Sequence, residues 1–130
     1  MDIAQIHSRI ATIPAFVTLK VAIETISEGE CTAIVPRNAA YDGVYESYHG
    51  GMLMTAADTV ALVALMAAVG VDGSFATTDM NIRFLAPCFT DARVHAKVIK
   101  VGRTLCPIHV DVFDMHGKHV AFAQVTYIHM

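Results

Sequence analysis

The hydrophobic positions of this 130-residue chain change period along its length. In DIAQIHSRIAT, residues 2–12, Ile3, Ile6 and Ile10 recur at helical spacing, which predicts a short amphipathic helix. Pro14 ends that helix or lies just beyond it, so residues 1–16 read as an N-terminal helical segment. From 17 to 36 the chain is rich in Val, Ile and Thr around Glu28-Gly29-Glu30. This predicts a hairpin of two strands, 19–27 and 31–36. Residues 38–48, NAAYDGVYESY, read as a loop with a turn signal at Asp42-Gly43. Tyr41, Tyr45 and Tyr48 make that loop a candidate wall of a site. From 51 to 69 nearly every residue is apolar, which predicts a helix buried on all sides. Gly70, Asp72 and Gly73 stop it.

After the helix the period becomes two. Strict alternation puts Thr78, Met80, Ile82 and Phe84 on one face of a strand, and Thr77, Asp79, Asn81 and Arg83 on the other. Pro87 ends that strand. Val94, Ala96 and Val98, then Ile108, Val110 and Val112, alternate with polar residues in two more strands, and a last strand runs over about 119–128. Gly102-Arg103 and His116-Gly117 are hairpin signals. The order is helix, hairpin, long helix, then an antiparallel meander. One sheet face must cover the helix, so the fold class is α+β, a curved antiparallel sheet wrapped around one long buried helix, in a single domain over 1–130.

Composition sharpens this picture. The chain is 55% hydrophobic and 16% charged, more apolar than an average soluble domain, which leaves apolar surface for a partner subunit. Net charge is -3 with no basic patch, so nucleic acid is not an expected partner. The segment 50–71 raises the question of a membrane span. Asp58 near its middle would cost roughly 3 kcal/mol in lipid, and the run is Ala- and Gly-rich, so a buried helix is the expectation rather than a membrane partner. Cys31, Cys88 and Cys106 form no CxxC pair and read as free thiols in a reducing, cytoplasmic compartment. Acidic Asp2 and the lack of a basic leader do not resemble a signal peptide. The seven histidines show no metal-ligand spacing, so no metal and no cofactor is expected.

The candidate chemistry is concentrated at the long helix. From Ser47 to Val71 its only strongly ionisable groups are His49 and Asp58. A buried carboxylate is costly unless paired. Gly50 and Gly51 open the helix, where bare N–H groups and the helix dipole suit a developing oxyanion. Asp58 lies seven residues beyond Gly51, about 10 Å along the helix axis. One helix cannot easily bring both groups to one bond; two copies, from two subunits, can.

The run His49-Gly50-Gly51-Met52-Leu53-Met54-Thr55-Ala56-Ala57-Asp58 resembles the HGG…D signature of hot-dog-fold acyl-CoA thioesterases of the phenylacetate-pathway type. Ala76-Thr77-Thr78-Asp79-Met80-Asn81-Ile82-Arg83-Phe84-Leu85-Ala86-Pro87 is similar to that family's strand after the helix. Val101-Gly102-Arg103-Thr104 and Asp114-Met115-His116-Gly117-Lys118 also fit. The resemblance covers roughly 17–128. It implies a hot-dog fold, thioester hydrolysis of an acyl-CoA, and a homodimer or homotetramer. It also implies roles. The Gly51 amide would hold the thioester oxygen, and Asp58 of the other subunit would act as base or nucleophile. Thr77 would stand near the attacking water, and His49 would orient the loop or touch the thioester. Substrate and coenzyme A contacts are implied for Gly50, Thr78, Arg83, Gly102, Arg103 and Thr104. One position departs from the pattern: members often carry Asn or Gln six residues before the His, where this chain has Gly43. A hydratase on the same fold and a non-catalytic acyl-CoA binding module are the alternatives.

Overall fold

The apolar periodicities condense into one sheet and one central helix. The computed structural model describes residues 1–130. The elements run α1 (Ile3–Ile10), α2 (Pro14–Leu19), β1 (Ala22–Ser27), β2 (Glu30–Val35), α3 (Gly50–Val69), β3 (Phe75–Phe84), β4 (Ala92–Val98), β5 (Leu105–Phe113) and β6 (His119–His129). A single 3-10 turn, Ala39–Tyr41, interrupts the loop before α3. The sheet order is β1-β2-β4-β5-β6-β3, with every neighbour antiparallel. The sheet curls around α3 and buries the alternating set Val94, Ala96, Ile108, Val110, Val112, Ala121, Ala123 and Val125 against it. This is the hot-dog fold.

The N-terminal helix forms for the expected reason. Asp2 caps α1 by accepting from the Gln5 amide at 3.1 Å, and Ile6 and Ile10 enter the core. Pro14 lies just beyond α1, as expected, and opens a second helix. Its missing N–H costs nothing at a first helical position. Leu19, expected in the first strand, is therefore the last residue of α2, and β1 begins at Ala22.

Helix α3 is long and apolar enough by composition to cross a membrane, but here it is the core helix, packed chiefly on β2, β4 and β5. It is not buried on all sides. Gly51 and Thr55 are exposed, and Met54, Asp58 and Leu62 are only half-buried. At 100° per residue these five share one stripe. A helix apolar all round has no polar face to betray which side stays open, so only packing shows it.

The turn before β5 needs its glycine. A Cβ at Gly102 would stand 2.2 Å from the Leu105 carbonyl oxygen, whose own bond from the Gly102 amide closes the turn. Gly102→Ala is expected to cost about 1–3 kcal/mol, as backbone must move to admit the methyl; urea melts check it. The three cysteines are free and buried. Burial pushes the Cys31 thiol up to about 12 and raises Cys88 too. The native protein is therefore expected to leave a chromogenic disulfide reagent unreacted at pH 8 until denatured, when all three thiols titrate.

Candidate active site

Asp58 sits on the open stripe of α3, where edge strand β3 and its neighbour β6 reach it. The Thr77 hydroxyl donates to Asp58 Oδ1 at 2.7 Å. The Tyr127 hydroxyl stands 3.1 Å from the same oxygen and 2.9 Å from the Asp58 carbonyl. Asp58 Oδ2 makes no hydrogen bond within the chain. One carboxylate oxygen is thus anchored and the other is free, which suits either proton abstraction or direct attack. No second carboxyl group shares this cluster.

Thr77 reaches Asp58 only because β3 is irregular. Thr77 pairs with Tyr127 and Asp79 with Thr126, so Thr78 is the extra residue of a β-bulge. The bulge shifts the phase of the strand. Thr77 therefore faces the helix with Met80, Ile82 and Phe84, not outward with Asp79 as strict alternation predicts. Thr-Thr-Asp carries no local sign of a bulge, because a bulge is a property of two paired strands. Tyr127 is the functional candidate that sequence reasoning missed. Its only signal is its place on the buried face of β6, two residues after Val125. Burial, with the Asp58 charge second, raises its phenol well above the ordinary tyrosine range, so it stays protonated as a donor. Tyr127→Phe is expected to lower turnover about 10-fold with the fold intact, since one of two donors on Oδ1 is lost; steady-state kinetics and circular dichroism check it.

The start of α3 forms the second cluster. His49 is the N-cap, and its ring Nδ1 accepts from the Gly51 amide at 3.0 Å. That bond places the ring proton on Nε2. The Met52 and Leu53 amides both donate to the His49 carbonyl. The Gly50 amide has no partner within the chain. So the uncommitted donor at the positive end of the dipole is Gly50, while Gly51 is engaged in capping. A Cβ at Gly50 would come within 3.1 Å of the Phe84 ring, so helix start and the end of β3 are in close contact.

Beside His49 lies a cavity of about 270 Å³, walled in part by Leu19, Pro36, Tyr41, Tyr48 and Met52. Tyr41 and Tyr48 of the loop line it beside the polar Lys20, Arg37, Asn38 and Asp42, while Tyr45 points elsewhere, exposed. Tyr48 is buried, its hydroxyl 3.2 Å from the Val35 carbonyl. The loop is organised by Arg37, which takes Asp42 in a two-pronged ion pair and also donates to the Glu46 carbonyl at 2.8 Å. The guanidinium holds the Asp42 carboxyl below its usual range. A guanidinium thus orders the loop that lacks the expected amide at Gly43.

The chain separates the remaining sequence candidates into two ends. Thr77 and Tyr127 lie in one row of the sheet with Cys106, so the exposed loop with Gly102, Arg103 and Thr104 stands at the Asp58 end. Arg83 and Phe84 belong to the His49–Gly50 end, with Arg83 exposed on the outer face. Thr78 is the exposed bulge residue.

Residues 45–121 match the model of the thioesterase superfamily. A candidate esterase of Halobacterium salinarum is 31% identical over 99 residues, which is 72% of this chain; the match spans 66% of that relative's length, just under two thirds. Among solved structures, a thioesterase family protein from Silicibacter pomeroyi superposes with a TM-score of 0.88 at 21% identity, covering 97% of this chain and 96% of that one. The PaaI protein of the Escherichia coli phenylacetic acid degradation operon superposes with a TM-score of 0.86 at 21% identity, covering 98% and 91%. At that identity the two structures speak for the fold.

Proposed function

We propose that this chain, which belongs to the thioesterase superfamily, is a thioester hydrolase that acts on an acyl-CoA in a site completed by two copies of the chain. The observation that carries this reading is the state of Asp58, one oxygen held by two hydroxyls and the other free. In the proposed reaction the thioester carbonyl accepts from the Gly50 amide, where the helix dipole favours negative charge. Asp58 of the other subunit takes a proton from water through Oδ2, and the hydroxide adds to the carbonyl carbon. The oxyanion collapses, the C–S bond breaks, and the proton passes from Asp58 to the leaving thiolate. In the nucleophilic variant the same oxygen attacks first and water cleaves the resulting anhydride. After a single turnover in ¹⁸O-water, label in the Asp58 carboxyl marks the nucleophilic route, with water adding to the aspartyl carbonyl of the anhydride.

The supporting residues follow from position. Gly51 caps through His49, whose Nε2–H is left to meet the thioester. Thr77 and Tyr127 aim the carboxylate. We assign the coenzyme A phosphates to Arg103, which makes no ion pair of its own, with Gly102 and Thr104 shaping that loop. Arg83 and Thr78 flank the path at the edge strand, and the cavity beside His49 takes the acyl group. The neighbours of Asp58 are hydroxyls rather than a second acid, which favours hydrolysis over hydration. Thiol release is the test, followed across aliphatic and aromatic acyl-CoA thioesters. Tight acyl-CoA binding without thiol release would reduce the chain to a binding module.

A further inference from the structure

The cavity beside His49 carries polar groups that the hydrolysis itself does not use. Its wall comes from three stretches of chain: the end of α2 with Lys20, the segment 36–42, and the start of α3 with His49. Each polar group of the first two stretches is either engaged within the chain or free, and the division is one-sided.

The acceptors are engaged. Both Asp42 carboxylate oxygens take the Arg37 guanidinium, which also donates to the Glu46 and Phe89 carbonyls. The Asn38 side-chain oxygen accepts from the Ala40 amide at 2.9 Å. Donors are what remains. Asn38 keeps its side-chain N–H groups, and the Lys20 ammonium makes no ion pair. Arg37 and Asp42 cancel each other, so Lys20 leaves this wall with an excess positive charge on a chain whose net charge is -3. Surplus donors and surplus positive charge select a ligand group that is anionic and only accepts. An ionised carboxylate is such a group. A hydroxyl would bring a donor to a wall whose carboxylate and amide oxygens are already taken. Leu19, Pro36 and Met52 supply apolar surface for methylene groups in the same cavity.

The backbone singles out Lys20 independently. It closes α2 with φ 56 and ψ 43, in the left-handed region where a β-carbon is disfavoured and glycine is the usual helix stop. Glu46 is the one other non-glycine residue with a positive φ. The Lys20 and Val21 amides return to the Val17 and Phe16 carbonyls, and Phe16 is buried in the core. The strained turn is thus held in place by its surroundings, as strain is where a side chain has a use.

Resting on the reading of this cavity as the acyl pocket, we propose that the substrate is the coenzyme A half-thioester of a short dicarboxylic acid, its free carboxylate bound by Lys20 and Asn38. Water then supplies OH to the thioester carbon and H to sulfur, and the products are a dicarboxylate and the free thiol. The distal carboxylate makes and breaks no bond.

Adipyl-CoA and hexanoyl-CoA test this in the full chain, because their acyl chains are equally long and differ at the far end, carboxylate against methyl. Adipyl-CoA is expected to have the higher kcat/KM by about 10- to 100-fold, the range for a hydrogen bond to a charged partner. Lys20→Met removes the charge and keeps the stem, and is expected to bring that ratio close to one. Lys20→Glu is expected to invert it and to favour 6-aminohexanoyl-CoA. Lys20→Gly, which the left-handed backbone accepts without strain, secures the fold and is expected to lose the ratio as Lys20→Met does. A parent ratio near one overturns the proposal, as does a ratio that survives both neutral variants. An equal loss on the two thioesters also overturns it, because Lys20 would then serve the coenzyme A moiety they share. The hydrolase reading fails separately, by no thiol release from any acyl-CoA; the ratio of the two affinities by calorimetry then decides for or against the carboxylate.

Discussion

Asp58→Asn is expected to lower thiol release by about 10³-fold, because the amide can neither take a proton from water nor attack the thioester. The change is nearly isosteric. Its carbonyl oxygen can still accept from Thr77 and Tyr127 in place of Oδ1, so the fold and substrate affinity are expected to persist. The measurement is kcat against KM over a panel of acyl-CoA thioesters, with thermal melting as the control for folding. A loss confined to kcat places the defect in the chemical step. Unchanged turnover would remove Asp58 from the mechanism.

Gly50→Pro is the second large effect, at about 10²–10³-fold, the range found when one oxyanion donor is deleted. Gly50 is the first residue of α3, where proline is well tolerated and lacks only the N–H in question. His49 already has φ -60 and ψ 133, an extended conformation that suits a residue before proline. A Cβ at this position would meet the Phe84 ring at 3.1 Å, the far end of a side chain that is 52% exposed. Helix content is therefore expected to survive while turnover falls. If the two groups serve one site from different subunits, mixing Asp58→Asn with Gly50→Pro protein regenerates an intact site in each mixed dimer. Activity should recover to about a quarter of the unmodified level, since half the dimers are mixed and each has one good site. Two inactive parents that stay inactive after exchange would place both groups in one subunit's site.

Much of this was legible in the chain. A single carboxylate inside an apolar run, with Gly50-Gly51 at its head, marked both clusters, and alternation marked the strands of the meander. The hidden parts share one character. The bulge at Thr78 depends on how two strands pair, so neither strand announces it alone. Tyr127 is distant in sequence from Asp58 and looks like any aromatic on a buried strand face. Whether Gly50 or Gly51 keeps its amide free depends on where the His49 ring turns, which a glycine pair cannot reveal.

Local chemistry therefore determined most elements of this protein, α2 excepted, because period and glycine act over a few residues. It also singled out Asp58, the one charged side chain of an apolar helix, although the structure leaves that carboxylate half-buried on the open stripe and not enclosed. Only the tertiary structure decided what surrounds it. A helix that is apolar all round can present any face to the sheet. Packing against β2, β4 and β5 left the stripe with Gly51, Thr55 and Asp58 open, next to a strand whose edge has no neighbour.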